Sequence, residues 1–198
     1  MAATASPDAQ RGEHHPQESS DTNQQAVEFV LAPFNPTADD AIRHGLDMAQ
    51  VTSKDIVWEI GCGDARWLIA ACKESNAQGC GVEYDSALAA RAEAAVIAAG
   101  LEDRITILCA DACAVDFSQA TVLLLYLVPK GLAHLQPKLD ALRDGGHRVR
   151  VVANFFSVPG WTPLRQHKDQ RCRLHYYEVG AADAAAAELD AAAPAAVP

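Results

Sequence analysis

The chain is 198 residues long, enough for one ordinary domain and tight for two. Hydrophobic residues make up 49% of it and charged residues 21%, which permits a packed core and excludes disorder throughout. With 16 Lys and Arg against 26 Asp and Glu the net charge is -10, which excludes a protein that coats nucleic acid by bulk electrostatics.

Residues 1–25 are polar and offer too little apolar surface to offset the entropy of ordering, so they are expected to form a disordered tail. His14-His15 has no companion ligand nearby, and no metal site is expected there. This segment has no apolar signal core, and its acidic residues with the single Arg11 make a poor mitochondrial presequence. The six cysteines, at 62, 72, 80, 109, 113 and 172, include no CxxC pair and read as reduced thiols. An intracellular, cytoplasmic protein is the expectation. The longest apolar run, 122–129, falls far short of the roughly 20 residues that span a bilayer.

Residues 26–179 are expected to form the domain. Thr37–Gln50 reads as a helix, and Asp55–Ile60 as a first strand that runs straight into Gly61-Cys62-Gly63. Helical spacing of Ala65, Leu68, Ile69 and Cys72 predicts a helix over 64–76. A strand follows at Cys80–Tyr84, then an Ala-rich helix at Ser86–Ala99 that stops at Gly100. Ile105–Cys109 and Thr121–Leu127 are the third and fourth strands, Pro129–Arg143 a helix, and His147–Phe155 the fifth strand. Pro163–Gln166 and Arg171–Val179 are expected to pair as a hairpin. Residues 180–198 form an Ala-rich low-complexity tail. Strands alternating with helices define an α/β fold. The expectation is a Rossmann-like, doubly wound, mostly parallel sheet in three αβα layers, closed by a shortened C-terminal hairpin. Acidic residues gather before Pro129 and basic ones after it, which reads as two solvated faces or as a segment that selects a partner.

Chemistry concentrates at strand ends. In Glu59-Ile60-Gly61-Cys62-Gly63-Asp64-Ala65-Arg66, the glycines Gly61 and Gly63 leave a strand and open a helix, so the backbone and its amide donors can approach a ligand. A dinucleotide fingerprint would need a third glycine where Arg66 stands. Glu59 is a poor neighbour for pyrophosphate and a good one for a cation, such as the amino and sulfonium groups of S-adenosylmethionine. Glu83 in Gly81-Val82-Glu83-Tyr84-Asp85 falls near the distance, about 20 residues on, where a carboxylate takes ribose hydroxyls. Tyr84 would pack beside the adenosine, and Asp111, next to Ala112 after the third strand, would accept from the adenine amino group.

These residues and the order of elements resemble a class I S-adenosylmethionine-dependent methyltransferase. Asn35-Pro36-Thr37, GCGDAR, Leu125-Tyr126-Leu127-Val128-Pro129 and Val158-Pro159-Gly160-Trp161 are similar to a narrower set of small methyltransferases. Its eukaryotic members are mitochondrial protein-lysine methyltransferases acting on the adenine nucleotide translocase and the ATP synthase c subunit. The resemblance implies S-adenosylmethionine as cofactor, bound by Glu59, Gly61, Gly63, Glu83, Tyr84, Asp111 and Ala112. It also implies a protein substrate carrying a lysine, and makes a mitochondrial address a second expectation beside the cytoplasm. Tyr126 is expected to line the acceptor channel, with Pro129 shaping the turn after it. The set usually has Gly where this chain has Ala65, which is expected to hold the loop further from the cofactor. Leu124-Leu125-Tyr126-Leu127 is not the Asn-Pro-Pro-Tyr type of segment found in many base methyltransferases, so a nucleic-acid substrate is disfavoured. The alternatives are a small-molecule or RNA methyltransferase, and an inactive cofactor-binding protein that serves as a partner.

Overall fold

The computed structural model describes residues 31–170 and 172–180. The tail expected over 1–25 and the Ala-rich stretch after Gly180 lie outside the described residues. Seven strands make one sheet: β1 Ile56–Ile60, β2 Gln78–Glu83, β3 Ile105–Cys109, β4 Val122–Leu125, β5 Val149–Asn154, β6 Arg165–Lys168 and β7 Arg173–Val179. Four helices flank it: α1 Asp39–Ala49, α2 Arg66–Ser75, α3 Ser86–Ala98 and α4 Pro129–Arg143. The strand order is β3-β2-β1-β4-β5-β7-β6, and β7 runs antiparallel to both of its neighbours. The expected α/β sheet and hairpin are both present. None of the described helices is long and apolar enough to cross a membrane.

The sheet is buried on both faces, which is why its central strands read as nearly continuous apolar runs. Along β4, Val122 and Leu124 face a core built with α1, α2 and α3, while Leu123 and Leu125 face the core built on α4. Among the described residues the second face has one helix only. The rest of that face is covered by Ala112 and Phe117 from the segment after β3 and by residues 155–164, where Trp161 meets Tyr177 edge-on at 5.6 Å and the Val158 N–H donates to the Tyr177 hydroxyl at 3.0 Å.

Element ends differ from the sequence reading for local reasons. α2 starts two residues late because Ala65 takes a left-handed conformation (φ 57). β5 stops at Asn154 because Phe155 also turns left-handed (φ 70), and the Phe156 N–H bonds back to the Asn154 carbonyl at 2.9 Å. The hairpin turn falls two residues later than expected, because β6 runs on to Lys168 and β7 begins at Arg173. The Asp169 N–H donates to the Cys172 carbonyl at 3.0 Å, and the Cys172 N–H returns to Asp169 Oδ1 at 2.7 Å.

A polar knot fixes the end of the sheet where β1 begins. Buried Asp55 accepts from Arg150, from the Thr121 hydroxyl at 2.8 Å, and from the Thr52 N–H and hydroxyl at 2.7 and 2.9 Å. Arg150 also donates to the Ala49 and Gln50 carbonyls at 2.7 Å, so α1, β1, β4 and β5 meet at one pair of charges. Burial works against the Asp55 charge, but these donors outweigh it and hold the carboxyl below its ordinary range. Asp55→Ala leaves a half-buried guanidinium short of its partner, a loss of about 3 kcal/mol. Urea unfolding should show a lower midpoint at an unchanged slope. Because the folded pKa is depressed, the contribution is present above the ordinary carboxylate range and is lost on acidification. The gap between wild type and variant should therefore narrow as the pH falls.

Candidate active site

β2 and β3 lie to one side of β1, and β4 and β5 to the other. The crevice at the carboxyl ends of β1 and β4 is thus the topological switch point, where ligands bind in open α/β sheets. A cleft open to solvent lies there. Its lining includes Glu59, Gly61, Gly63, Glu83, Tyr84, Asp111, Ala112 and Tyr126. Of the residues expected to touch cofactor or acceptor, only Pro129 is outside it. Pro129 is exposed at the first position of α4, where its missing N–H has no helical partner to lose.

Glu59, 4% exposed, ends β1 and points to α2, whose Leu68 N–H donates to its Oε2 at 3.1 Å. It supplies the cap that α2 otherwise lacks, since Ala65 offers no side-chain acceptor. Glu83, 9% exposed, holds the β1–α2 turn: Gly63 N–H donates to Oε2 at 2.8 Å and Asp85 N–H to Oε1 at 3.0 Å. Each Glu83 oxygen therefore keeps a lone pair for a further donor. Among the described residues neither carboxylate has an ion-pair partner, whereas Asp64 beside them is held by Arg66 at 2.7 Å. Burial, reinforced by the Asp64 and Glu83 charges, pushes the Glu59 carboxyl up to about 8 despite the Leu68 N–H. Arg66 does the opposite for Asp64, whose carboxyl sits below its ordinary range.

The turn amides are not the ligand donors expected of them. Gly61 and Cys62 N–H donate to the Val82 carbonyl at 2.8 and 3.0 Å, and Gly63 N–H serves Glu83. The glycines are needed for shape. Gly61 and Gly63 have φ of 72 and 56, and a Cβ at Gly63 would come within 2.7 Å of the Phe34 ring. Ala65 departs from expectation too: it is fully buried and does not line the cleft, so its methyl adds nothing on the ligand side.

Residues 31–37 cross the cleft as a strap, which the sequence did not announce beyond the likeness at Asn35-Pro36-Thr37. The Phe34 ring lies over the glycine turn, with the Arg91 guanidinium 5.6 Å from its centre. Asn35 Nδ2 donates to the Tyr126 hydroxyl at 2.7 Å, joining the strap to the end of β4. At Gly131 a Cβ would fall 2.0 Å from the Leu31 carbonyl oxygen, so α4 seats the strap against bare backbone. Tyr84 and Asp111 stand at the rim, and Asp111 Oδ1 accepts from the Cys113 N–H at 2.8 Å.

A seven-stranded sheet with a reversed β7, and an acidic glycine-turned cleft at its switch point, define a class I S-adenosylmethionine-dependent methyltransferase. Residues 59–165 match the ANTKMT methyltransferase domain, and the chain belongs to that family. It is similar to a protein-lysine N-methyltransferase of Saccharolobus islandicus (strain REY15A), at 35% identity over 132 residues, 66% of this chain and 81% of that protein. It is also 30% identical over 139 residues to a mouse (Mus musculus) lysine N-methyltransferase named for the C subunit of ATP synthase, covering 70% of this chain but only 54% of that one. Among solved structures, an RNA methyltransferase from Salinibacter ruber bound to S-adenosyl-L-homocysteine aligns with a TM-score of 0.70. The two share 28% identity across 74% of this chain and 95% of that one. S-adenosylmethionine is the methyl donor. The cleft fits it on physical grounds: two buried carboxylates without a protein cation face a ligand that carries an ammonium and a sulfonium.

The raised Glu59 carboxyl has a measurable sign. Its pKa rises from 4.5 to about 8 on folding, so the stability it contributes is full below 4.5 and drains as the pH climbs through 8. Glu59→Gln keeps an acceptor for Leu68 and removes the titration. Thermal unfolding of cofactor-free protein between pH 5 and about 8.5 should show a steeper decline for wild type than for the variant. The variant should also bind the cofactor more weakly.

Proposed function

We infer that this methyltransferase acts on lysine side chains of protein. The observation that carries the reading is the Asn35–Tyr126 pair set in an acidic cleft, where Glu59, Asp64, Glu83 and Asp111 stand against Arg66 alone. A lysine has an ordinary pKa of about 10.4 and arrives as a cation, which such a lining attracts. Burial between the strap and the end of β4 then favours the neutral amine, and the released proton passes to water at the open mouth. Tyr126 Oη and the Asn35 carboxamide oxygen accept the N–H groups of that amine and turn its lone pair inward. S-adenosylmethionine, when bound, supplies an electrophilic methyl group on positively charged sulfur. Glu59 holds the cationic amino acid end, the spare lone pairs of Glu83 take the ribose hydroxyls, Tyr84 and Ala112 flank the adenosine, and Asp111 accepts from the adenine amino group. Gly61 and Gly63 keep the turn low enough for that pose, and Pro129 starts α4 so that Tyr126 faces the cleft. The six thiols, all free, fit an intracellular setting.

The likeness to the Salinibacter enzyme favours a second reading, RNA methylation. The net charge of -10 and the acidic lining weigh against it, since both repel a phosphate backbone. Incubating the full chain with labelled S-adenosylmethionine and a cell extract, then separating protein, RNA and small molecules, decides between them. Label on protein lysine is expected. Label in RNA supports the second reading, and label among small molecules alone removes both. With the protein substrate in hand, Tyr126→Ala should keep cofactor affinity within about twofold and lower turnover about a hundredfold, the effect of misplacing a nucleophile by about 1 Å. Asn35→Ala should act in the same direction by about tenfold, one hydrogen bond's worth. Full activity of Tyr126→Ala would mean that the ring only packs.

A further inference from the structure

Three metal-ligating side chains meet at the sheet edge, outside the cleft lining. His44 comes from α1, His167 from β6 and Asp169 from the turn that follows β6. The two half-buried imidazoles stack with centroids 4.0 Å apart and planes 25° from parallel. His167 Nε2 lies 3.2 Å from Asp169 Oδ2, and one ligand atom from each of the three falls within 4.8 Å of the others. Asp169 is positioned by its own turn. Its Oδ1 accepts from the Cys172 N–H at 2.7 Å, which leaves Oδ2 directed at the imidazole, with the Cys172 thiol 3.6 Å away. β6 lies three strands from β4, or roughly 14 Å at the spacing of neighbouring strands.

We propose that His44, His167 and Asp169 bind a divalent transition-metal ion of the zinc class, stapling α1 to the β6–β7 hairpin. Two imidazole nitrogens and one carboxylate oxygen suit zinc, whereas calcium and magnesium prefer all-oxygen sites. With bonds of about 2.0–2.1 Å a tetrahedral site needs ligand atoms about 3.3 Å apart. Two rings 25° from parallel cannot both aim a nitrogen at one ion, so binding rotates one imidazole out of the stack, and that rotation closes the 4.8 Å spread. The fourth position faces solvent and takes water. The staple lies where the sheet has least to hold it, because β6 has four residues and is paired on one side only. A single hydrogen bond from Arg165 to the Met48 carbonyl, at 2.7 Å, already marks the same seam between α1 and β6.

The test uses the full chain, stripped of metal and titrated with zinc chloride by calorimetry and thermal unfolding. Wild type should bind zinc and unfold at a higher temperature with it, while magnesium chloride does neither. His44→Ala/His167→Ala should lose that binding, and Asp169→Asn, which keeps the Oδ1 acceptor of the turn, should bind at least tenfold more weakly. Metal-free unfolding temperatures of the variants near that of wild type separate loss of the site from loss of the fold. His44→Ala alone serves if the double variant does not fold. Zinc also binds free thiols and the His14-His15 pair. The same affinity and thermal gain in the histidine variants as in wild type would therefore overturn the proposal, as would an absence of zinc binding in wild type.

Discussion

The cleft is governed by two buried carboxylates that have no cationic partner among the described residues. Glu59 and Glu83 are held by backbone N–H groups alone, Glu59 by Leu68 in the following helix and Glu83 by Gly63 in the glycine turn and Asp85 beside it. That arrangement ties β1, the glycine turn, α2 and the end of β2 into one unit, and leaves it short of positive charge. The burden falls on the folded state, as the raised carboxyl of Glu59 records. A ligand with two cationic centres relieves it and stabilises the fold by mass action. The same residues thus build the turn and select what enters.

Much of this was legible in the chain. Glu59, Glu83 and Asp111 each end a strand, and strand ends are marked by the change from apolar runs to glycine or helical spacing. The layered α/β class followed once those units were recognised, because strands alternating with helices make a parallel sheet covered on both faces. The strap was not legible. Phe34 and Asn35 act through contacts with Gly63 and with Tyr126, the latter 91 positions away, and no periodicity announces such contacts. Nor could spacing tell that the turn amides are occupied by the Val82 carbonyl and Glu83. Ala65 misled for a similar reason: a residue missing from a glycine pattern looks like a change at the ligand, and here its methyl faces the core.

The two faces of the sheet are built differently. Three helices cover one, while α4, the segment after β3 with Phe117, and residues 155–164 share the other. The sharp turn at Phe155 sends the chain out of β5 and back over Tyr177, so Val158 and Trp161 do the covering. A left-handed phenylalanine is uncommon, and it persists because its neighbours fix the backbone on both sides: the Phe155 N–H donates to the Arg173 carbonyl at 2.6 Å. The ring is left half-exposed, with the Arg173 guanidinium 6.0 Å from its centre.

Among the described residues the sheet ends in β3 on one side and β6 on the other, each with a row of backbone groups that no described strand pairs. Such rows invite a strand from another molecule to add on. The β6 row carries Arg165 and Lys168, both exposed, so a second copy aligning there in opposite sense brings positive charges together. β3 offers Ile105-Thr106-Ile107-Leu108-Cys109, with no charge and an exposed thiol at its end. Resistance to edge-to-edge aggregation is therefore uneven around this molecule. It is strong where the hairpin closes the fold, and rests at the other border on the shortness of a five-residue strand.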